Sequence, residues 1–189
     1  MTSPLIVLIG PPGAGKSSVA AVLATRCATT ARDTDRDIER LTGCSVSQIF
    51  AEKGEPRFRA LEHEMVRAAV AEHSGVLALG GGAVVHPDTR RLLRDLPVAF
   101  LDTTLADAAQ RLHGDGSRPL LRDEFPQRWL ALMKQRRPLY LEAARAVVST
   151  HGRSPQQVAS TVLSELITWE PRPEHRPDRG GQHRRHHAV

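Results

Sequence analysis

Residues Gly10-Pro11-Pro12-Gly13-Ala14-Gly15-Lys16-Ser17 satisfy the pattern G-x-x-x-x-G-K-[ST] completely. Glycines let backbone N–H groups turn toward one point, and a helix opening at Lys16 directs its partial positive N-terminus there too. A polyphosphate is then held with few side chains. In such a loop the Lys16 ammonium reaches the β- and γ-phosphates, and the Ser17 hydroxyl is a ligand for Mg2+. The plain alternative is a glycine-rich turn with an accidental lysine, but the apolar run Leu5-Ile6-Val7-Leu8-Ile9 ahead of it reads as the buried strand that this motif requires. The loop alone leaves motors, switches, nucleotide kinases and small-molecule kinases open. None of the three lysines, Lys16, Lys53 and Lys134, sits in an Asn/Thr-Lys-x-Asp guanine-reading element, so ATP is favoured over GTP.

Five further groups bear on a second substrate and the transfer to it. Asp33-Thr34-Asp35 falls where a second strand should end, at the carboxyl edge where open α/β sheets bind ligands. If that segment is extended, the two acids point in opposite directions, one toward Mg2+ and one toward an acceptor. Taken alone, a D-x-D beside Arg32 and Arg36 also reads as a solvated turn. Gly80-Gly81-Gly82 follows the apolar run Val76 to Leu79, and three glycines in a row suit close approach of backbone to a ligand, or positive φ. Arg59 and Glu62 stand at i, i+3 on an expected helix from Pro56, so Glu62 can hold the guanidinium. Arg136-Arg137-Pro138-Leu139-Tyr140 is expected to end another helix, with Arg137 as ordinary surface charge. Gly114-Asp115-Gly116-Ser117-Arg118-Pro119 brackets one arginine with glycines and a proline, as a mobile connection would.

The elements that must carry these groups alternate along the chain, short apolar runs with longer helical patterns, which predicts a parallel sheet with crossover helices. Strands are expected at Leu5 to Ile9, Val76 to Leu79, Val98 to Leu101 and Ala146 to Val148. A fifth, near Ala28 to Arg32, is required by topology and has no apolar run. Helices are expected at Lys16 to Arg26, Asp37 to Leu41, Ser45 to Ala51, Pro56 to His73, from Thr104 to about Leu112, and from Ser154-Pro155 to about Ile167.

A chain of 189 residues with 40% hydrophobic and 25% charged residues suits one domain. With 4% aromatic residues, its core must be aliphatic, and a base-stacking RNA-binding sheet is disfavoured. Cys27 and Cys44 form neither a disulfide framework nor a metal spacing. No transmembrane run or secretory leader is evident, so a cytoplasmic protein is expected. The net charge of +5 is partly concentrated after Trp169, where Pro171, Pro173, Pro177 and five arginines stand with almost nothing apolar. Residues 170–189 are expected to be a disordered tail, and a specific nucleic-acid footprint is not expected.

Together these motifs, in this order, resemble the shikimate kinase family of P-loop proteins, over about Leu5 to Ile167. The carriers are the phosphate loop, Asp33-Thr34-Asp35, Phe58-Arg59, Gly80-Gly81-Gly82-Ala83, Arg118-Pro119-Leu120-Leu121 and Arg136 to Tyr140. The resemblance implies a three-layer α/β fold with a five-stranded parallel sheet in a kinase domain spanning 1–169, with a lid at about 113–125. It implies ATP-dependent phosphorylation of the shikimate 3-hydroxyl with one Mg2+ per subunit, by a monomer. By resemblance, Asp35, Arg59, Gly81 and Arg136 contact shikimate, Phe50 and Phe58 wall its pocket, and Glu62 supports Arg59. Ser17 and Asp33 serve Mg2+, Lys16 and Arg118 the transferring phosphoryl group, and Asp35 the reacting hydroxyl. Gly13, Ala14, Gly15, Lys16, Ser17 and Ser18 cradle ATP, with Arg111, Arg153 and Pro155 near adenine. Two departures stand out: Ala28-Thr29-Thr30-Ala31-Arg32 where the family is usually apolar, and Ser18 where it usually has threonine.

Overall fold

Five parallel strands lie in the order β2-β3-β1-β4-β5: β1 Ile6–Ile9, β2 Ala31–Asp33, β3 Val76–Ala78, β4 Val98–Asp102 and β5 Ala146–Ser149. The computed structural model describes residues 3–113 and 124–166, so the segment around Arg118 and the expected tail lie outside the described residues. Helices α1 Lys16–Arg26, α2 Thr34–Thr42, α3 Val46–Glu72, α4 Pro87–Leu93, α5 Leu105–His113, α6 Phe125–Ala143 and α7 Pro155–Leu166 flank the sheet.

Both faces of the sheet are covered, which is why its inner strands read as unbroken apolar runs rather than alternating ones. Val7, Ile9, Leu77, Leu79, Val98 and Phe100 face one core, with Val66, Leu93, Trp129 and Tyr140. Ile6, Leu8, Val76, Ala78, Ala99 and Leu101 face the other, with Val19, Leu23, Val158 and Val162 from α1 and α7. Each large aliphatic side chain so buried stabilises the fold by about 1.5–3 kcal/mol. Ile38, Ile49 and Phe58 form a third, smaller cluster between α2 and α3.

Several elements differ from their sequence-based expectation. β2 begins at Ala31 rather than Ala28, and it is held by its pairing of Ala31, Arg32 and Asp33 with Val76, Leu77 and Ala78. α2 starts three residues early, at Thr34, because Asp33 caps it: the carboxylate accepts from the backbone N–H groups of Asp35 and Arg36. The two expected helices around Gly54 are one helix interrupted there, where φ is 74°. α6 does not end at Arg136 to Tyr140 but runs through Pro138 to Ala143. Pro138 and Lys134 are exposed, so the carbonyl freed by the proline lies on the wet side of the helix. A 3-10 turn at Ala83–Val85 and helix α4, opened by His86 and Pro87, were not anticipated.

Candidate active site

In the order β2-β3-β1-β4-β5 the chain leaves β1 toward one edge and leaves β3 toward the other, which opens a crevice between their carboxyl ends. The phosphate loop follows β1 and the glycine run follows β3, so both border that crevice. Gly15 precedes α1 in the left-handed region, φ 83°, and Gly13 also has positive φ, as the tight loop requires. Ala14 is buried, and its N–H donates to the Pro11 carbonyl. The Lys16 ammonium lies back over the loop, donating to the carbonyls of Gly10 at 2.9 Å and Pro11 at 3.1 Å. Ser17 and Ser18 are exposed in the first turn of α1.

The Ser17 hydroxyl donates to Asp33 Oδ2 at 2.6 Å. Asp33 ends β2, caps α2 and meets the phosphate loop at once. Asp35 therefore lies in the first turn of α2, and not on an extended segment as expected; the two acids diverge because one caps the helix and the other is inside it. The departure at Arg32 has a local explanation. Its guanidinium donates to Asp37 at 2.5 Å and Glu72 at 3.0 Å, and these two acids outweigh the effect of burial and raise its pKa. Asp37 is only 8% exposed, so this pairing fixes α2 against the edge of the sheet.

The glycine run has no positive φ; its glycines are required by what crowds them. A Cβ on Gly80 would collide with carboxylate oxygens of Asp35 and Glu62, and one on Gly82 with the Arg59 guanidinium. Gly81 packs on Pro12 of the phosphate loop. The Gly80 N–H donates to Thr34 Oγ1 at 3.0 Å, and Thr34 is fully buried, which ties the run to the Asp33-Thr34-Asp35 segment. No pattern of residue types marks Thr34 for this role, so the sequence reading passed over it.

Arg59 donates to Glu62 at 2.5 Å and to Glu55 at 3.1 Å. Glu62 is 2% exposed, and burial pushes its carboxyl up while the Arg59 guanidinium pulls it back. For Arg59, burial lowers the pKa but the two acids more than offset it. The guanidinium also lies 5.4 Å from the Phe50 ring centre and 5.3 Å from that of Phe58, whose rings are 4.4 Å apart. Two aromatic faces and two acids thus hold one cation facing Gly82. From α6, Arg136 Nη1 donates to the Gly81 carbonyl at 3.1 Å.

Arg111 is hydrogen-bonded to the protein itself. Its Nη atoms donate to the carbonyls of Gly13 at 3.0 Å and Thr150 at 3.1 Å, with the Thr103 and Thr150 hydroxyls at 3.3 and 3.2 Å. It fastens the phosphate loop to the connection after β5. Arg153 is exposed on that connection, and Pro155 is the first residue of α7. Arg118 lies outside the described residues, as does most of the expected lid.

A family model for shikimate kinase matches residues 12–167. The chain belongs to the shikimate kinase family. A shikimate kinase of Streptomyces avermitilis is 48% identical over 166 residues, 88% of this chain and 97% of that protein. The solved shikimate kinase from Acinetobacter baumannii in complex with shikimate superposes with a TM-score of 0.82 at 33% identity, covering 88% of this chain and 94% of the other. A gluconokinase from Sinorhizobium meliloti, at 19% identity and TM-score 0.54, covers 88% of this chain and 91% of its own, and shares the fold alone. Membership of the shikimate kinase family makes ATP the co-substrate.

Proposed function

We propose that this chain transfers the γ-phosphoryl group of ATP to the 3-hydroxyl of shikimate, giving shikimate 3-phosphate and ADP. One observation carries the reading to this acceptor: Asp35, Glu62, Arg59 and Arg136 all converge on Gly80 to Gly82, one strand from the phosphate loop. An acceptor with one carboxylate and several hydroxyls is matched by two guanidinium groups and an acid.

Arg59 and Arg136 bind the carboxylate, the Gly81 backbone borders the ring, and Phe50 and Phe58 wall the pocket. Asp35 orients the attacking hydroxyl and accepts its proton. Lys16 moves from the loop carbonyls to the phosphates, joined by Arg118, and the N–H groups of Gly13 to Ser18 cradle the chain of phosphates. Arg111, Arg153 and Pro155 border adenine. Phosphoryl transfer depends on positioning and charge neutralisation more than on covalent chemistry, which suits this inventory.

Ser17 and Asp33 fit Mg2+, since they set two oxygen atoms side by side at the start of α1, and Mg2+ takes few protein ligands beside water and phosphate. Bound there, Mg2+ would neutralise phosphate charge. No helix among the described residues is long and apolar enough to cross a membrane, and we place the enzyme in the cytoplasm as a monomer.

The test is ADP release with ATP and Mg2+ in the presence of shikimate, gluconate, a nucleoside monophosphate or no acceptor. Shikimate-dependent release is expected; release that ignores shikimate overturns the reading.

A further inference from the structure

Tyr140 is fully buried, and its ring stacks on Phe100 of β4 with centroids 4.9 Å apart. Its hydroxyl donates to the Gly81 carbonyl at 2.5 Å. Arg136, one helical turn earlier on α6, donates to the same oxygen at 3.1 Å. Burial pushes the phenol up to about 12, so at neutral pH the hydroxyl keeps its proton and remains a donor. A carbonyl oxygen has two lone pairs, and here both donors come from one face of one helix.

We propose that Tyr140 is a positioning residue for the acceptor's carboxylate, acting through Gly81 and Arg136. With no acceptor present, Arg136 rests on the Gly81 carbonyl. When a carboxylate arrives, Arg136 exchanges the neutral oxygen for the charged one, and the Tyr140 hydroxyl keeps the carbonyl hydrogen-bonded. Without that hydroxyl, each exchange would strip the carbonyl of its last donor among the described residues, a loss that subtracts from acceptor affinity. This rests on the reading of Arg136 as a carboxylate ligand.

Among the described residues, one further cluster has ligand-like chemistry: His63, His86 and Asp88 offer donor atoms within 4.8 Å of one another. It is not built for a cation. The two rings are stacked at 4.2 Å with 6° between their planes, so their in-plane lone pairs run in parallel sheets and do not meet, while Asp88 is paired with Arg91.

Tyr140→Phe keeps the ring and removes the donor. Shikimate binding by calorimetry and steady-state KM are measured for the full chain in wild type, Tyr140→Phe, Arg136→Ala and the double variant. Tyr140→Phe should weaken shikimate about tenfold, the size of one buried hydrogen bond, with the KM for ATP as the internal reference. In the Arg136→Ala background, where no exchange occurs, the same substitution should cost less than about twofold. Phe100→Leu loosens the packing but leaves the hydroxyl, and should lower the melting temperature without the affinity loss. An equal penalty in both backgrounds, an affinity unchanged in Tyr140→Phe, or a loss in Phe100→Leu that matches Tyr140→Phe would overturn the proposal while the kinase reading stands. A wild-type protein that neither binds nor phosphorylates shikimate would overturn both.

Discussion

Gly82 stands where any side chain would run directly into the Arg59 guanidinium: a Cβ added there overlaps Nη1, Cζ and Nη2. Arg59 is held on its other sides by Glu55, Glu62 and two aromatic rings, so it has little room to yield. Gly82→Ala should therefore act as a remote copy of Arg59→Ala. Both should raise the KM for shikimate, by the equivalent of about 1.5–3 kcal/mol for a lost hydrogen bond to a charged group, with a smaller effect on kcat. Steady-state kinetics on the pair decide this, and an unchanged KM in Arg59→Ala removes it from the carboxylate clamp.

Asp35→Asn tests the opposite end of the acceptor site. It keeps the shape of the side chain and loses the charge that receives a proton, so kcat should fall by roughly 100-fold or more. Circular dichroism should show the fold intact. A kcat close to wild type would exclude Asp35 as the base.

Ser17→Ala removes the hydroxyl that donates to Asp33 at 2.6 Å. If these two residues hold Mg2+, the variant should need a higher concentration of Mg2+ for half-maximal turnover. A Mg2+ dependence that superposes on wild type would place the ion elsewhere.

His63 supplies a pH dependence unrelated to catalysis. Burial first, and then the stacked His86, hold its pKa below the ordinary histidine value, with Arg67 adding to this and Asp88 and Glu64 opposing. The unfolded chain thus binds a proton there more readily than the folded one. The stability contributed by neutral His63 is complete above the unfolded pKa of about 6.5 and is lost as pH falls through it toward the lower folded value. Melting curves between about pH 7.5 and pH 5.5 should fall more steeply for wild type than for His63→Gln. Parallel curves would show that His63 does not couple folding to protons.

Much of the site could be read from residue types because it is built from local constraints. Lys16–Arg26 was expected and found with the same bounds, since glycines and a preceding apolar strand determine it. The i, i+3 spacing of Arg59 and Glu62 likewise sufficed for their ion pair. β2 was harder. Its three residues are exposed or half-buried, and it exists because β3 offers a free edge and because Arg32 finds Asp37 and Glu72, which lie 5 and 40 residues away in sequence. The Gly80 to Gly82 run was legible as a place of close approach, but not what approaches: three side chains from α2 and α3 and Pro12 of the phosphate loop do, at ordinary backbone angles. Pro138 misled for a related reason, because local propensity places a helix end where packing of Tyr140 on Phe100 carries the helix onward.

The strand order also sets a timetable for synthesis. Val7 pairs with Leu77 on one side and Val98 on the other, so the central strand lacks its second neighbour until more than half of the described chain has been made. Until then Ile6-Val7-Leu8-Ile9 is an apolar segment paired on at most one side, and contacts this distant in sequence form slowly. The phosphate loop is spelled out within the first 17 residues, yet it gains its walls only when Gly81 and then Leu101 reach it from later in the chain. A ribosome stalled before β4 would hold a nascent chain with the whole motif and no nucleotide site.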